Sequence, residues 1–128
     1  MKAYRFTLAD DDPNMLFLMH YMLSHAFPHS SIASFSSAED ALRHILDTGT
    51  DILITDHAMG SMNGAQLVSR LRDLKSEIPI IMISGNPAAR EEAHLAGATE
   101  FLDKRVGMKV LEATVRSLIH AWGPEERP

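Results

Sequence analysis

The chain holds no cysteine among its 128 residues. That absence excludes disulfide-stapled scaffolds, thiol nucleophiles and thiolate metal centres, and it suits a reducing compartment. Positive charge is in short supply: 12 lysines and arginines face 17 aspartates and glutamates, a net charge of −5. A general nucleic-acid binder normally shows a basic face, so no direct nucleic-acid partner is expected. No apolar run approaches the roughly 20 residues that cross a bilayer, so no membrane partner is expected either. The opening MKAYRFTLAD lacks a long apolar stretch, which argues against a secretory signal and makes the cytoplasm the default address. The patterns GxxxxGKS/T, GxGxxG and GxSxG are missing, so nucleotide-loop and serine-hydrolase chemistry lack support.

What is present is the profile of a folded soluble domain, with 45% hydrophobic and 23% charged residues. A chain of this length makes one domain, not two, and is long enough to bury a real core. The expected domain runs over residues 1–123, with 124–128 as a tail. Short apolar runs at 4–9, 32–35, 51–55, 78–83 and 99–102 alternate with helix-like stretches. The third and fourth runs are apolar on successive residues, as in parallel strands covered on both faces.

The helix signals fall between those runs. Asp12-Pro13 supplies a cap and a first-turn proline, and Met15, Leu16, Met19, Met22, Leu23 and Ala26 recur at helical spacing before Pro28. The segment 36–40 reads as a capping box opening a helix that carries Ala41, Leu42, Ile45 and Leu46. A third helix is expected over 64–74, a fourth capped by Asn86-Pro87 and ending at Gly97, and a fifth over 106–122 carrying Val110, Leu111, Val115, Leu118 and Ile119. Trp122 is expected to pack at the end of that last helix. Strict alternation of strand and helix predicts a parallel sheet with helices on both faces.

In such a sheet, ligands bind beyond the carboxyl ends of the strands. Those ends carry Asp10-Asp11-Asp12, Asp56, Ser84-Gly85 and Asp103-Lys104. Gathered carboxylates repel unless a cation neutralises them. Hard oxygen donors select ions such as Mg²⁺. With a hydroxyl and an ammonium beside them they suit a phosphoryl group, and Asp56 is the candidate nucleophile for an aspartyl phosphate. The plainer readings are helix-flank acids for the triplet, a turn cap for Asp56 and a strand-end serine for Ser84. Seven histidines lie scattered without HExxH spacing and read as surface or packing residues; His57 borders Asp56 without needing a role.

At this point the sequence resembles the receiver domains of two-component response regulators. LADDDP (8–13) resembles the family's acidic first loop. DILITD (51–56) and MGSMNG (59–64) resemble the phosphoacceptor strand and the loop after it. IIMISG (80–85) is similar to the strand that bears a switch hydroxyl, and GATEFLDK (97–104) to the segment ending in a lysine. The resemblance implies a flavodoxin-like, doubly wound α/β fold with five strands in the order 2-1-3-4-5 and five helices. It implies that Asp56 accepts a phosphoryl group and that Asp10, Asp11, Asp56 and the backbone carbonyl of Ala58 hold Mg²⁺. Ser84 and Lys104 would then bind the phosphoryl group, and Phe101 would be the aromatic switch. The implied partners are a sensor histidine kinase or histidine phosphotransfer protein, and a downstream protein target or an output domain outside this chain. A homodimer through the fourth and fifth helices is a further option. The chain is expected to be a stand-alone receiver or a piece of a longer regulator, not a turnover enzyme.

Four positions depart from the family pattern. Arg105 replaces the proline after the lysine, so the Lys104-Arg105 bond is either trans with a rearranged loop or a cis bond that costs roughly 2.5–4 kcal/mol. Gly60 replaces a proline, which is expected to loosen the loop. Asn63 replaces an aspartate with little effect expected. Phe101 replaces the commoner tyrosine and offers no hydroxyl. Arg105 and Gly60 support the alternative function, a receiver-like interaction module independent of phosphorylation. An aspartate-nucleophile phosphatase lacks its second aspartate in Asp56-His57-Ala58.

Overall fold

Residues 3–122, which the computed structural model describes, run through β1 (Arg5–Ala9), α1 (Pro13–Ala26), β2 (Ser31–Phe35), α2 (Ala38–Thr48), β3 (Ile52–Asp56), α3 (Gly64–Asp73), β4 (Ile80–Ser84), α4 (Ala89–Ala96), β5 (Glu100–Asp103), a 3-10 turn (Lys104–Val106) and α5 (Met108–Trp122). The expectations for the Trp122 side chain and for the tail at 124–128 lie outside the described residues. The strands are all parallel and ordered β2-β1-β3-β4-β5. This is the flavodoxin-like fold with five helices.

The two-residue period of a strand divides the core in two. Leu53, Ile80 and Met82 face α2, α3 and α4, where Leu42, Ile45, Leu67, Val68, Leu71 and Ala93 are buried. Ile52, Ile54, Ile81 and Ile83 face α1 and α5, where Met19, Leu23, Leu111, Val115 and Ile119 are buried. Each residue of β3 and β4 is buried, which explains their unbroken apolar runs.

Several local expectations shift. Ser37 caps α2 by accepting the Asp40 N–H at 3.1 Å, but Asp40 turns to Arg43 at 2.9 Å and leaves the box half-made. The full reciprocal box forms at α3 instead, between Asn63 and Gln66, with both bonds at 2.8 Å. Asn86 accepts the Ala88 N–H at 3.0 Å in a turn, so α4 starts later than expected, at Ala89, with no side-chain cap. The fifth helix begins at Met108 because residues 104–106 form the 3-10 turn. Leu46 and Val110, expected on buried stripes, are exposed.

Register sets where the chemistry lies. Asp56 pairs with Ile83, and Ser84 with Asp103, so the carboxyl ends of β3, β4 and β5 are level. Ala9 pairs with Thr55, which carries Asp10 to the same edge.

Candidate functional site

Asp10 leaves β1 at the sheet edge, and its carboxylate is almost wholly buried. One oxygen accepts the Asp12 N–H at 2.9 Å. Asp12 in turn caps α1 by accepting the Asn14 N–H at 2.9 Å, so the last member of the triplet serves the helix. Asp11, between them, is exposed. Asp56 ends β3, is buried, and accepts the His57 N–H at 2.8 Å through Oδ1. Carboxylate oxygens of Asp10, Asp11 and Asp56 all lie within 4.8 Å of one another.

Lys104 reaches this cluster from the 3-10 turn that follows β5. Its Nζ stands 3.4 Å from Asp10 Oδ2 and 3.3 Å from Asp56 Oδ2. Peptide bonds among the described residues are all trans, so of the two conformations open to Lys104-Arg105 the chain takes the trans one, and the lysine still arrives. Burial alone would lower the lysine; the carboxylates of Asp10 and Asp56 outweigh it and hold the ammonium above its ordinary value. Burial dominates at Asp10, whose carboxyl rises from 3.8 to about 6; the Asp56 charge adds to this, and the Asp12 N–H and Lys104 oppose it.

The other expected residues lie on β4, on the loop after β3 and on β5. Ser84 is buried at the end of β4, and its hydroxyl accepts the Asn86 N–H at 3.1 Å. Ala58 lies exposed in the loop that leaves Asp56. In that loop Gly60 takes a left-handed backbone with φ of 46°, a conformation glycine adopts at no steric cost. Phe101 is partly buried against the α2–α4 core, and the Arg90 guanidinium of α4 lies 4.7 Å from its ring centre. Two contacts were invisible in the sequence because they join distant segments. His57 Nε2 meets Glu92 of α4 at 3.1 Å, and Arg90 covers Phe101. A third was legible as an Asp-x-Arg spacing but carried no signal of its own: Asp103 accepts from Arg105 at its backbone N–H (2.9 Å), Nε (3.0 Å) and Nη2 (2.6 Å).

Residues 6–116 match the family model of the response regulator receiver domain. The chain is 33% identical over 130 residues to the transcriptional regulatory protein FixJ of Rhizobium meliloti, covering 98% of this chain and 62% of that protein. It is 30% identical over 117 residues to the heme response regulator HssR of Staphylococcus saprophyticus, covering 90% of this chain and 51% of the relative. The chain thus spans about a third to a half of the length of the curated relatives it matches first. The crystal structure of a CheY-like response regulator receiver domain protein from Methanospirillum hungatei has the same fold, with a TM-score of 0.86 at 19% identity, covering 97% of this chain and 99% of that one. Among the described residues no helix is long and apolar enough to cross a membrane. With the family model matching most of the chain, and the acidic cluster and lysine standing at the strand ends, the chain belongs to the receiver domains of response regulators.

Proposed function

We propose that this receiver is a phosphorylation-controlled switch in which Asp56 accepts a phosphoryl group from a phosphohistidine. The observation that carries the reading is the Lys104 ammonium, 3.4 Å from Asp10 and 3.3 Å from Asp56, bridging the two buried carboxylates. An Asp56 carboxylate oxygen attacks phosphorus. The new P–O bond forms as the P–N bond breaks, and the imidazole nitrogen leaves with the electron pair and takes up a proton. Lys104 neutralises the incoming oxygens. Ser84 turns its hydroxyl from Asn86 to donate to the phosphoryl group. Hydrolysis reverses the state: water attacks phosphorus, the P–O bond to Asp56 breaks, and phosphate leaves.

The residues present fit Mg²⁺. The donors are hard oxygens within 4.8 Å of one another, and a nearby cation would offset the burial that raises Asp10. Asp10, Asp11, Asp56 and the Ala58 carbonyl would hold the ion, which supplies charge neutralisation for the carboxylates and the phosphoryl oxygens.

The modified Asp56 is proposed to bias the face of α4, β5 and α5 toward a partner. Phe101 would pack further inward as Ser84 moves. The partners in this reading are a histidine kinase or phosphotransfer protein upstream and a protein target or output domain downstream, all in the cytoplasm. The protein acts on itself and turns over no separate substrate. The intact cluster favours this reading over an interaction module independent of phosphorylation. Incubation with ³²P-labelled acetyl phosphate and Mg²⁺ should label the wild-type protein at one site, and Asp56→Asn should abolish the label. Wild-type labelling in Asp56→Asn would overturn the assignment.

A further inference from the structure

We infer that Asp103 and Arg105 are positioning residues that aim Lys104 at the carboxylate cluster. The inference rests on the function proposed above and adds residues to it. Lysine is a point charge on a flexible four-carbon stem, so the direction of its backbone largely decides where the ammonium is found. The β4–β5 ladder ends at the pair Ser84 and Asp103, one residue short of Lys104. Sheet pairing therefore does not hold the lysine.

The two flanking residues do. Asp103 Oδ1 accepts the Arg105 N–H at 2.9 Å and Arg105 Nε at 3.0 Å, while Oδ2 accepts Nη2 at 2.6 Å. The two-pronged fork and the backbone bond close a ring across residues 103 and 105, with Lys104 at its middle. The Arg105 guanidinium donates to Asp103, and its side chain is 82% exposed to solvent. The Arg105 hydrogen bonds are the main cause that holds the Asp103 carboxyl down at about 2, so the acceptor stays ionised across the physiological range. Arg90 adds a second positive charge near Asp103 from α4, where it also covers Phe101. An exposed ion pair contributes little to stability. Removing it should therefore show in the aim of Lys104 and not in unfolding.

The test measures the rate of Asp56 labelling by acetyl phosphate with Mg²⁺ in the wild type, Arg105→Ala, Lys104→Met and the double variant. Misplacing a positioned charge should slow labelling about tenfold in Arg105→Ala. The same substitution should change nothing once Lys104 is already Met. Arg105→Lys keeps the charge without the fork and should recover part of the rate. The urea midpoint should stay that of the wild type. In the metal-free protein, ¹⁵N relaxation of the Lys104 ammonium should show a more mobile group in Arg105→Ala. Equal slowing with and without Lys104, wild-type labelling in Arg105→Ala, or unchanged Lys104 mobility would each overturn the inference. Failure of the wild type to label would sink the proposed function instead, and the metal-free relaxation measurement would still decide the positioning role.

Discussion

Gly64 stands directly against the backbone of Asp56. A methyl group at Gly64 would collide with the Asp56 carbonyl oxygen and come within 3.0 Å of the His57 Cα. That carbonyl already accepts the Thr55 hydroxyl at 2.9 Å, and the Gly64 N–H donates to the His57 carbonyl at 2.7 Å. The first residue of α3 and the end of β3 are therefore in contact without any intervening side chain.

Gly64→Ala should push the β3–α3 loop away from Asp56. Overpacking of this kind costs about 1–3 kcal/mol, measurable by urea unfolding. Because the displaced segment carries the His57 N–H that meets Asp56, phosphoryl labelling should fall as well. A variant with wild-type stability and labelling would show that the loop yields freely.

Arg72 is a structural clamp remote from the carboxylates. Its guanidinium donates to the carbonyls of Gly97 (3.0 Å), Ser76 (3.0 Å) and Ile78 (2.8 Å), tying the loop after α3 to the loop after α4. Arg72→Met keeps the apolar stem and strips the donors. Charged hydrogen bonds to partly buried carbonyls support a loss of about 2–3 kcal/mol. Labelling of Asp56 by acetyl phosphate should be unchanged at temperatures where the variant is folded.

Asp10 makes the metal-free protein sensitive to pH. Burial is the chief cause that lifts its carboxyl from 3.8 to about 6. Below about pH 4 the group is protonated both folded and unfolded, and there is no penalty. As pH climbs from about 4 to 6 the unfolded chain releases the proton first, so stability declines; above pH 6 the penalty, on the order of 2–3 kcal/mol, is complete. Asp10→Asn should therefore stabilise the metal-free protein at pH 8 and do little near pH 3.5. Urea unfolding at the two pH values checks this, and an equal effect at both would refute it.

Mg²⁺ should raise the melting temperature at pH 8 and raise it less at pH 5, where Asp10 retains its proton. Asp11→Ala removes an exposed oxygen from the cluster and should weaken Mg²⁺ binding about tenfold, as read by calorimetry. Unchanged affinity would remove Asp11 from the ligand set.

Much of the architecture was legible because it follows from local rules. The unbroken apolar runs of β3 and β4 announced strands buried on both faces, and Asp12-Pro13 marked the start of α1 at the residues where it begins. Motifs at the strand ends singled out Asp10, Asp11, Asp56 and Lys104, which the fold brings together. The departures were less legible. A serine with acids after it looked like a full capping box, and an asparagine before a proline looked like a helix start; Ser37 does cap α2, but the return half of its box is missing. Asp40 instead found Arg43, and Asn86 found the Ala88 N–H. These side chains have several partners within a turn, and composition does not choose among them.

The sequence by itself determined the alternation of strand and helix, the two-sided core and the set of charged groups brought to one edge. Periodicity and strand-end chemistry are properties of neighbouring residues, and they survive without knowledge of the rest of the chain. Only the tertiary structure decided that Lys104 bridges Asp10 and Asp56 from a trans-linked turn, that Glu92 meets His57, and that Gly64 must lack a side chain. Those outcomes depend on distances between segments 35 to 94 residues apart in some cases and on the packing of backbone against backbone in another. A carboxylate in a list of residues has no desolvation and no partner; burial beside Lys104 gives Asp10 both.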